Sequence, residues 1–482
     1  MNSRLHNGSA DGPGPAKRIA IIGGGITGLS AAYHLLKGNR QLDVTIYETG
    51  SRVGGVIQTE QQDGVLLEYA ADNFLTSPPD AVNLCRELRM DDQLLVTREQ
   101  PNGALVVRRQ QLFPIPAGFA VMAPGQWWPF LCSPILSPWG KIRAACEYFV
   151  RQDRSLADES LQTFVVRRFG QQMYERLVQP LVSSIYTADP TRLSVAATMA
   201  RFKEMEQRHG SLLRAMFSQN DTQTQTKKER SGGARYAMFN TLKRGMGSLI
   251  DRLVSALPER AIRLEAPIRR LLLSEDGVWK LQVGGYAAEW VTADAVIVAT
   301  PASVTANLME NLAPDVATCY RQTSYASCAI IHLVYKRSQI GHPLNAMGLV
   351  VPLCEKKRVL SCSFTSEKYP GRTPEGTVLL RAFVGGACQS HLLNRDDAEL
   401  IRMVTEDLNP WLRITGEPMT AHVMRRPNAM PQYNVGHLTR VAKIEQNLER
   451  FPSLVLAGSS LYGAGIPACI RSGQHAAEKT IA

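Results

Sequence analysis

Ile19-Ala20-Ile21-Ile22-Gly23-Gly24-Gly25-Ile26-Thr27-Gly28-Leu29-Ser30-Ala31-Ala32-Tyr33 is an apolar run that breaks at a glycine turn and opens into a helix. The spacing matches G-x-G-x-x-G. Gly23 permits the tight turn, Gly25 lets backbone N–H groups approach a pyrophosphate, and Gly28 lets the helix pack closely on the strand. Gly24, Ile26 and Thr27 complete the loop and the first helical turn, on whose N-terminus the phosphates would rest. Val44-Thr45-Ile46-Tyr47-Glu48 reads as the next strand, and it places a carboxylate roughly 20 residues after Gly28, the spacing needed to accept hydrogen bonds from an adenosine ribose. The stretch predicts a Rossmann-like α/β unit that binds a dinucleotide.

The turn Ser51-Arg52-Val53-Gly54-Gly55 follows directly and narrows the dinucleotide to FAD. Gly54 and Gly55 let backbone approach a ligand, and Arg52 stands where it can donate charge-assisted hydrogen bonds to a phosphate. A surface loop with an ordinary arginine is the competing reading. Far along the chain, Leu454-Val455-Leu456-Ala457 is a short buried strand and Gly463-Ala464-Gly465-Ile466-Pro467 leads into a helix with proline at its start. A helix N-terminus aimed at a flavin stabilises negative charge on the pyrimidine side of the reduced ring. Alone this is a plain strand-turn-helix; joined to Gly23–Gly55 it closes a discontinuous FAD unit.

With 482 residues, 44% of them hydrophobic, the chain can fill several cores, and the length prior is about three domains. The formal charge of +11 admits nucleic acid, anionic lipid or an acidic small molecule. The basic residues are scattered in pairs such as Arg108-Arg109 and Arg425-Arg426, no nucleic-acid module accompanies them, and a polyanion strip is disfavoured. Nine cysteines include no C-x-x-C pair, which fits reduced thiols in a cytoplasmic protein. Residues 1–16 are rich in Gly, Ser, Pro and Asn and read as a disordered tail without the apolar core of an export signal. No run of 18 or more apolar residues predicts a transmembrane helix. Nine histidines include no H-x-x-x-H, and no metal site is expected.

Leu112 to Trp139 is unusually greasy, with Phe113, Phe119, Trp127, Trp128, Phe130 and Trp139 among many prolines, and basic residues Lys141, Arg143 and Arg151 follow. This mix suits docking on a bilayer surface or lining an apolar channel; an interior core competes on nearly equal terms. Leu156 to Met216 has helical spacing, and the polar run Ser218 to Arg230 reads as a flexible loop. Ile268–Ser274 and Val278–Val283 flank Glu275-Asp276-Gly277 as a hairpin, and Ala295–Ala299 is a buried strand.

Further stretches carry a resemblance: Ser184–Ser194 (S-I-Y-T-A-D-P-T-R-L-S), Gly210–Ala215 (G-S-L-L-R-A), Val350–Pro352, Phe383–Ala387 (F-V-G-G-A), Met430–His437 (M-P-Q-Y-N-V-G-H) and Gly463–Ile470 (G-A-G-I-P-A-C-I). With these the chain resembles the oxygen-dependent porphyrinogen oxidases of haem biosynthesis, the family of protoporphyrinogen oxidase and bacterial coproporphyrinogen III oxidase. The likeness spans nearly everything after the tail. It implies a p-hydroxybenzoate-hydroxylase-like fold, non-covalent FAD, a porphyrinogen substrate that loses six electrons in three flavin cycles, and O2 reduced to H2O2. It also implies an α/β organisation: a discontinuous FAD-binding domain over 17–80, 233–300 and 435–482; a mixed-sheet substrate domain over 81–104 and 301–434; a helical domain, one that often meets membrane, over 105–215; and a loop over 216–232. A homodimer and peripheral attachment to the cytoplasmic membrane are compatible with it.

The resemblance adds Ala70, Ala71, Asp72, Asn73, Ile268, Ala464, Gly465 and Ile466 to the cofactor residues. It places Ser184, Met347, Gly348 and Val350 against the tetrapyrrole, and it assigns no catalytic base. His437 reads as a hydrogen-bonded structural residue rather than a base. Some positions depart from the family. Ala70-Ala71 replaces an expected Gly-Pro after the family-like Glu68, Ser184 and Ala188 replace glycines, and Arg426 stands where relatives commonly carry tryptophan near the flavin. The arginine that many protoporphyrinogen oxidases use for a propionate would fall near Gly103-Ala104 and is missing. With the bacterial-type Asp72, this shifts the expectation toward coproporphyrinogen III, whose four propionates offer other carboxylates to a positive surface. Protoporphyrinogen IX, an amine, or porphyrin or flavin binding without turnover are the alternatives. Against the amine reading, the C-terminal turn lacks the cysteine that tethers flavin in monoamine oxidases.

Overall fold

The computed structural model describes residues 16–38, 41–98, 103–152, 158–216, 238–284 and 288–481. Nearly all of the expected tail and of the 216–232 loop lies outside them. At the centre is a parallel sheet ordered Ile262–Arg263, Leu42–Tyr47, Lys17–Ile22, Ala295–Val298, Leu454–Leu456. Alternation along Lys17–Ile22 explains its two-sided burial. Ile19 and Ile21 face a core made with the helices Ile26–Leu36, Gly247–Ser255 and Ile466–Ile481, while Ala20 and Ile22 face a second core. That second core is covered by the antiparallel strands Ile268–Leu273, Trp279–Val283 and Glu289–Ala293 and by the helices Ala302–Met309 and Pro314–Arg321. The hairpin around Glu275-Asp276-Gly277 forms where expected, Gly277 taking a positive φ of 79°.

A seven-stranded mixed sheet runs Thr420–Pro431, Tyr325–Lys336, Thr377–Gly385, Val359–Phe364, Gly348–Val350, Leu105–Arg108, Gln111–Pro114. Helix Asp397–Leu412 lays Leu400, Met403, Val404 and Leu408 on it. Two expected boundaries shift. Residues 105–114, assigned to the helical part, form the hairpin at the edge of this sheet, because Val106 and Val107 bury opposite faces and Arg109-Gln110 turns with positive φ at both residues. Helix Asp80–Glu87, assigned to the substrate part, packs Ala81, Val82, Leu84 and Cys85 into the core of the parallel sheet.

The helical part is built on Leu161–Phe169 and Gln179–Tyr186, joined by the α turn Gln171–Met173 and the π turn Tyr174–Val178. The aromatic segment and the stretch after it are part buried and part exposed. Phe130 is buried and Phe113, Phe119 and Trp127 pack against the same core, whereas Trp128, Trp139 and Phe149 are 77%, 79% and 78% exposed. Among the described residues, no helix is long and apolar enough to cross a membrane.

Candidate active site

The glycine turn is held from both sides. Gly23 has φ +103°, and a Cβ there would stand 2.7 Å from the Ala299 carbonyl; one on Gly28 would stand 2.0 Å from the Gly23 carbonyl. Both glycines are therefore demanded by the fold. Gly25 differs: its backbone is extended, at φ −69° and ψ 177°, and a Cβ built on it meets nothing within 4 Å. As N-cap of the Ile26–Leu36 helix it offers no side-chain acceptor, so the first N–H groups of the helix, those of Ile26 and Thr27 among them, are left without a side-chain cap, as an anion site requires.

Glu48 sits at the end of its strand with its two oxygens fixed by the N–H groups of Gly24 and Gly50, each at 2.8 Å. Lone pairs remain for a ribose diol. The second glycine pair lies alongside: Gly54 N–H donates to Gly24 O at 2.8 Å, and Gly54 and Gly55 take φ of 98° and 59°. The Arg52 guanidinium donates to the carbonyls of Val53, Ile57 and Gly55 and to Gln58, which braces its own loop. Ile268 lies in the second core, two residues beyond Ala266, whose N–H bonds the Glu48 carbonyl.

The C-terminal unit arrives at the same place. Gly473 abuts the first turn of the Ile26–Leu36 helix, where a Cβ would come within 2.3 Å of Thr27 O, and Ser30 Oγ donates to Ile470 O. This crossing packs the Ile466–Ile481 helix, into which Ala464 and Gly465 lead, on the helix that follows the glycine turn. Met430–His437 ties this unit to the helical part. Tyr433 O accepts from Ser194 N–H, Gln432 Nε2 donates to Tyr186 O, and Tyr433 Oη donates to Ser459 O. His437 is buried, its Nε2 2.9 Å from Leu461 O, and burial lowers its pKa, which suits the structural role.

After Glu68 the chain turns through Ala70, Ala71, Asp72 and Asn73. Glu68 accepts from Thr59 Oγ1 and Met246 N–H, and its burial pushes the carboxyl up to about 7. Burial also works to raise Asp72, but Lys368, Arg381 and Arg372 outweigh it and hold the group below its usual value. Asn73 Nδ2 donates to Asp72 Oδ1, and Arg381 donates to the Ala70 carbonyl. Arg426, at the position where tryptophan is common, donates from Nε to Tyr69 O at 2.7 Å and lies over the Tyr69 ring. Sequence reading missed Lys368, Arg372 and Arg381. One signal was available, a charged residue inside the otherwise apolar strand Thr377–Gly385.

On the substrate side, helix Gln179–Tyr186 packs on the strands Gly348–Val350 and Val359–Phe364, so Ser184 and Met347–Val350 belong to one neighbourhood. Ser184 Oγ donates to its own helix at Leu181 O, Val350 is buried in the helical core, and Gly348 is glycine because a Cβ would come within 2.4 Å of Cys362 O. Met347 alone of the four combines partial exposure with a long apolar side chain free of a structural bond. Among the described residues, no cluster of three or more His, Cys, Asp or Glu could hold a metal.

The glycine turn, the fixed acid and the converging helix N-terminus fit FAD. Residues 26–481 match the family described as flavin containing amine oxidoreductase. The coproporphyrinogen III oxidase of Bacillus subtilis strain 168 is 32% identical over 95% of this chain and 97% of its own. Protoporphyrinogen oxidase 2 of Arabidopsis thaliana is 26% identical over 96% and 94%. The crystal structure of a putative protoporphyrinogen oxidase from Exiguobacterium sp. 255-15 superposes with a TM-score of 0.82 at 28% identity, covering 96% and 98% of the two chains. The chain belongs to the flavin-containing amine oxidoreductases, in the branch that holds these porphyrinogen oxidases. It is an FAD-dependent oxidoreductase.

Proposed function

We propose that the chain is a cytoplasmic oxidase that converts coproporphyrinogen III to coproporphyrin III, with O2 as acceptor and H2O2 as product. One observation carries the substrate choice: the Gly103 carbonyl accepts from Met347 N–H at 2.9 Å. The position that lacks an arginine therefore borders the strand read as facing the tetrapyrrole, which supports the reading that no arginine clamps a propionate there. Bound FAD supplies the redox chemistry, taking two electrons per cycle and passing them to O2. The chain must hold a saturated ring edge at the flavin and keep water out. Met347 and the apolar surface beside Ser184 serve the first need, and the buried junction of Tyr186, Gln432 and Tyr433 closes the interior side.

A substrate with two propionates loses orientation without a fixed bidentate clamp, whereas one with four retains other anchors. One charge-assisted contact is worth about 1.5–3 kcal/mol, so kcat/KM is expected to favour coproporphyrinogen III over protoporphyrinogen IX roughly tenfold or more. Both substrates measured in one detergent buffer decide it, and equal values or the reverse order would assign protoporphyrinogen. Anaerobic addition of either must bleach the flavin; a flavin that stays yellow with both leaves a binding protein without turnover.

The exposed aromatic face supports docking on a membrane surface. Trp128 and Leu131 on helix Trp127–Cys132 join Trp139 and Ile142 on helix Pro138–Ala145, with Lys141 Nζ bridging to Leu131 O and Arg214 lying over Tyr148. Aromatic wedges beside basic residues are the two components of interfacial binding. Anionic liposomes at low salt are expected to float the protein, and replacing Trp128 and Trp139 by serine should abolish this. Protein that stays wholly in the soluble fraction rejects membrane docking.

A further inference from the structure

Beneath the turn from Glu68 to Asn73 lie three cations. Arg372 and Arg381 are 1% and 2% exposed, and the Lys368 side chain is 13% exposed. The carboxylate that pairs with them is Asp72, 3.3 Å from Arg381 and 3.9 Å from Lys368. The Glu68 carboxyl takes its hydrogen bonds from Thr59 and Met246 and also faces Arg381 and Arg372, while burial pushes it up to about 7. His332, opposite Arg381 on the neighbouring strand, is held neutral by burial, its pKa lowered to about 3. Arg372 Nη1, Arg381 Nε and Asp72 Oδ2 have no hydrogen-bond partner. Positive charge buried in excess is costly unless an anion meets it.

The place where that anion would sit is indicated by what the cations hold. Arg381 Nη2 donates to the carbonyls of Glu68 and Ala70, and Arg372 Nη2 donates to Thr241 Oγ1, which itself donates to Asp72 O. The cluster is thus fastened to the backbone of the turn. That turn continues into the strand Phe74–Leu75, which packs on the Ile466–Ile481 helix. The buried cluster is one source of positive potential at this turn, and the turn leads to the helix whose N-terminus is the second.

We propose that Lys368, Arg372 and Arg381 form an electropositive floor that stabilises the negative charge of the reduced flavin and so sets its reduction potential, with Asp72 opposing them. This rests on the FAD reading of the cradle. Reduction adds two electrons and one proton, leaving one negative charge on the ring, and the three side chains act as positioning charges that do not touch the substrate. A unit charge acting over about 10 Å at an effective dielectric of about 20 changes such an equilibrium roughly tenfold.

The test is the midpoint potential of the FAD-loaded full chain, measured against a reference dye during slow reduction. Lys368→Met is expected to lower the potential by about 30 mV, the equivalent of tenfold for a two-electron couple. Lys368→Arg should restore it. Asp72→Asn should raise it, which separates electrostatics from damage, since a loosened site would shift both variants the same way. Unchanged potentials, or shifts of one sign in both, overturn the proposal while the FAD reading stands. A purified protein that neither carries nor takes up FAD overturns both. Should Lys368→Met fail to fold, the sign of the Asp72→Asn shift decides alone.

Discussion

Replacing Gly25 by valine is expected to yield a folded protein that no longer retains FAD. The backbone at Gly25 is in an extended conformation open to any residue, and no atom stands within 4 Å of a Cβ placed there. The protein's own packing does not require glycine at this position; on the FAD reading of the turn, the approach of a pyrophosphate to the adjacent N–H groups does. A branched side chain in that path forces the kind of overlap that costs about 3 kcal/mol, or roughly a hundredfold in affinity. Circular dichroism and thermal unfolding of the apoprotein should match wild type, while flavin absorbance after purification disappears and FAD titration shows the weakened binding. Gly28→Val is the contrast: its Cβ would collide with the Gly23 carbonyl, so that variant should lose the fold itself. A Gly25→Val protein that is still yellow would remove the glycine turn from the cofactor site.

The second large effect is expected in the helical part, where Arg168→Met should destabilise the protein by about 3–5 kcal/mol, the cost of breaking a buried ion pair from one side. Arg168 and Glu147 are fully buried, with Nε to Oε1 at 2.7 Å. Glu147 also accepts from Ser211 Oγ and from the N–H groups of Leu212 and Leu213, and Arg168 donates to the carbonyls of Val150 and Gly210. Arg167 and Lys203 extend the network to Glu159 and Glu206. Methionine fills similar space but leaves Glu147 short of its counter-charge and Glu206 with one fewer. Urea unfolding followed by tryptophan fluorescence reads the loss, and a change below about 1 kcal/mol would mean that the acids find other partners.

The legible parts of this molecule were those whose cause is local. A glycine turn, an acid at a fixed distance and a proline-started helix each announce themselves within a few residues, and Gly23, Glu48 and Ile466 stand where the pattern put them. Short strands were harder. Leu105–Arg108 and Gln111–Pro114 are too brief for period to distinguish them from the greasy segment that follows. Arg52 and Gly348 show a different difficulty. Each is the residue type expected at a ligand, yet one braces its own loop and the other yields to a neighbouring strand. Lys368, Arg372 and Arg381 meet Asp72 only where the seven-stranded sheet packs on the turn after Glu68, and no local pattern encodes that meeting.

The order of the parallel sheet has a consequence for how the protein is made. Its middle strand, Lys17–Ile22, pairs with Ala295–Val298, and that strand pairs in turn with Leu454–Leu456. At about 5–20 residues per second, a ribosome delivers the last of these roughly 20–90 s after the first. Until then Ile19, Ile21 and the glycine turn have the neighbouring strand Leu42–Tyr47 but neither the completed sheet nor the Ile466–Ile481 helix to pack on. The core around the glycine turn is therefore complete only once the Ile466–Ile481 helix has been made, and until then the nascent chain carries unpaired strands.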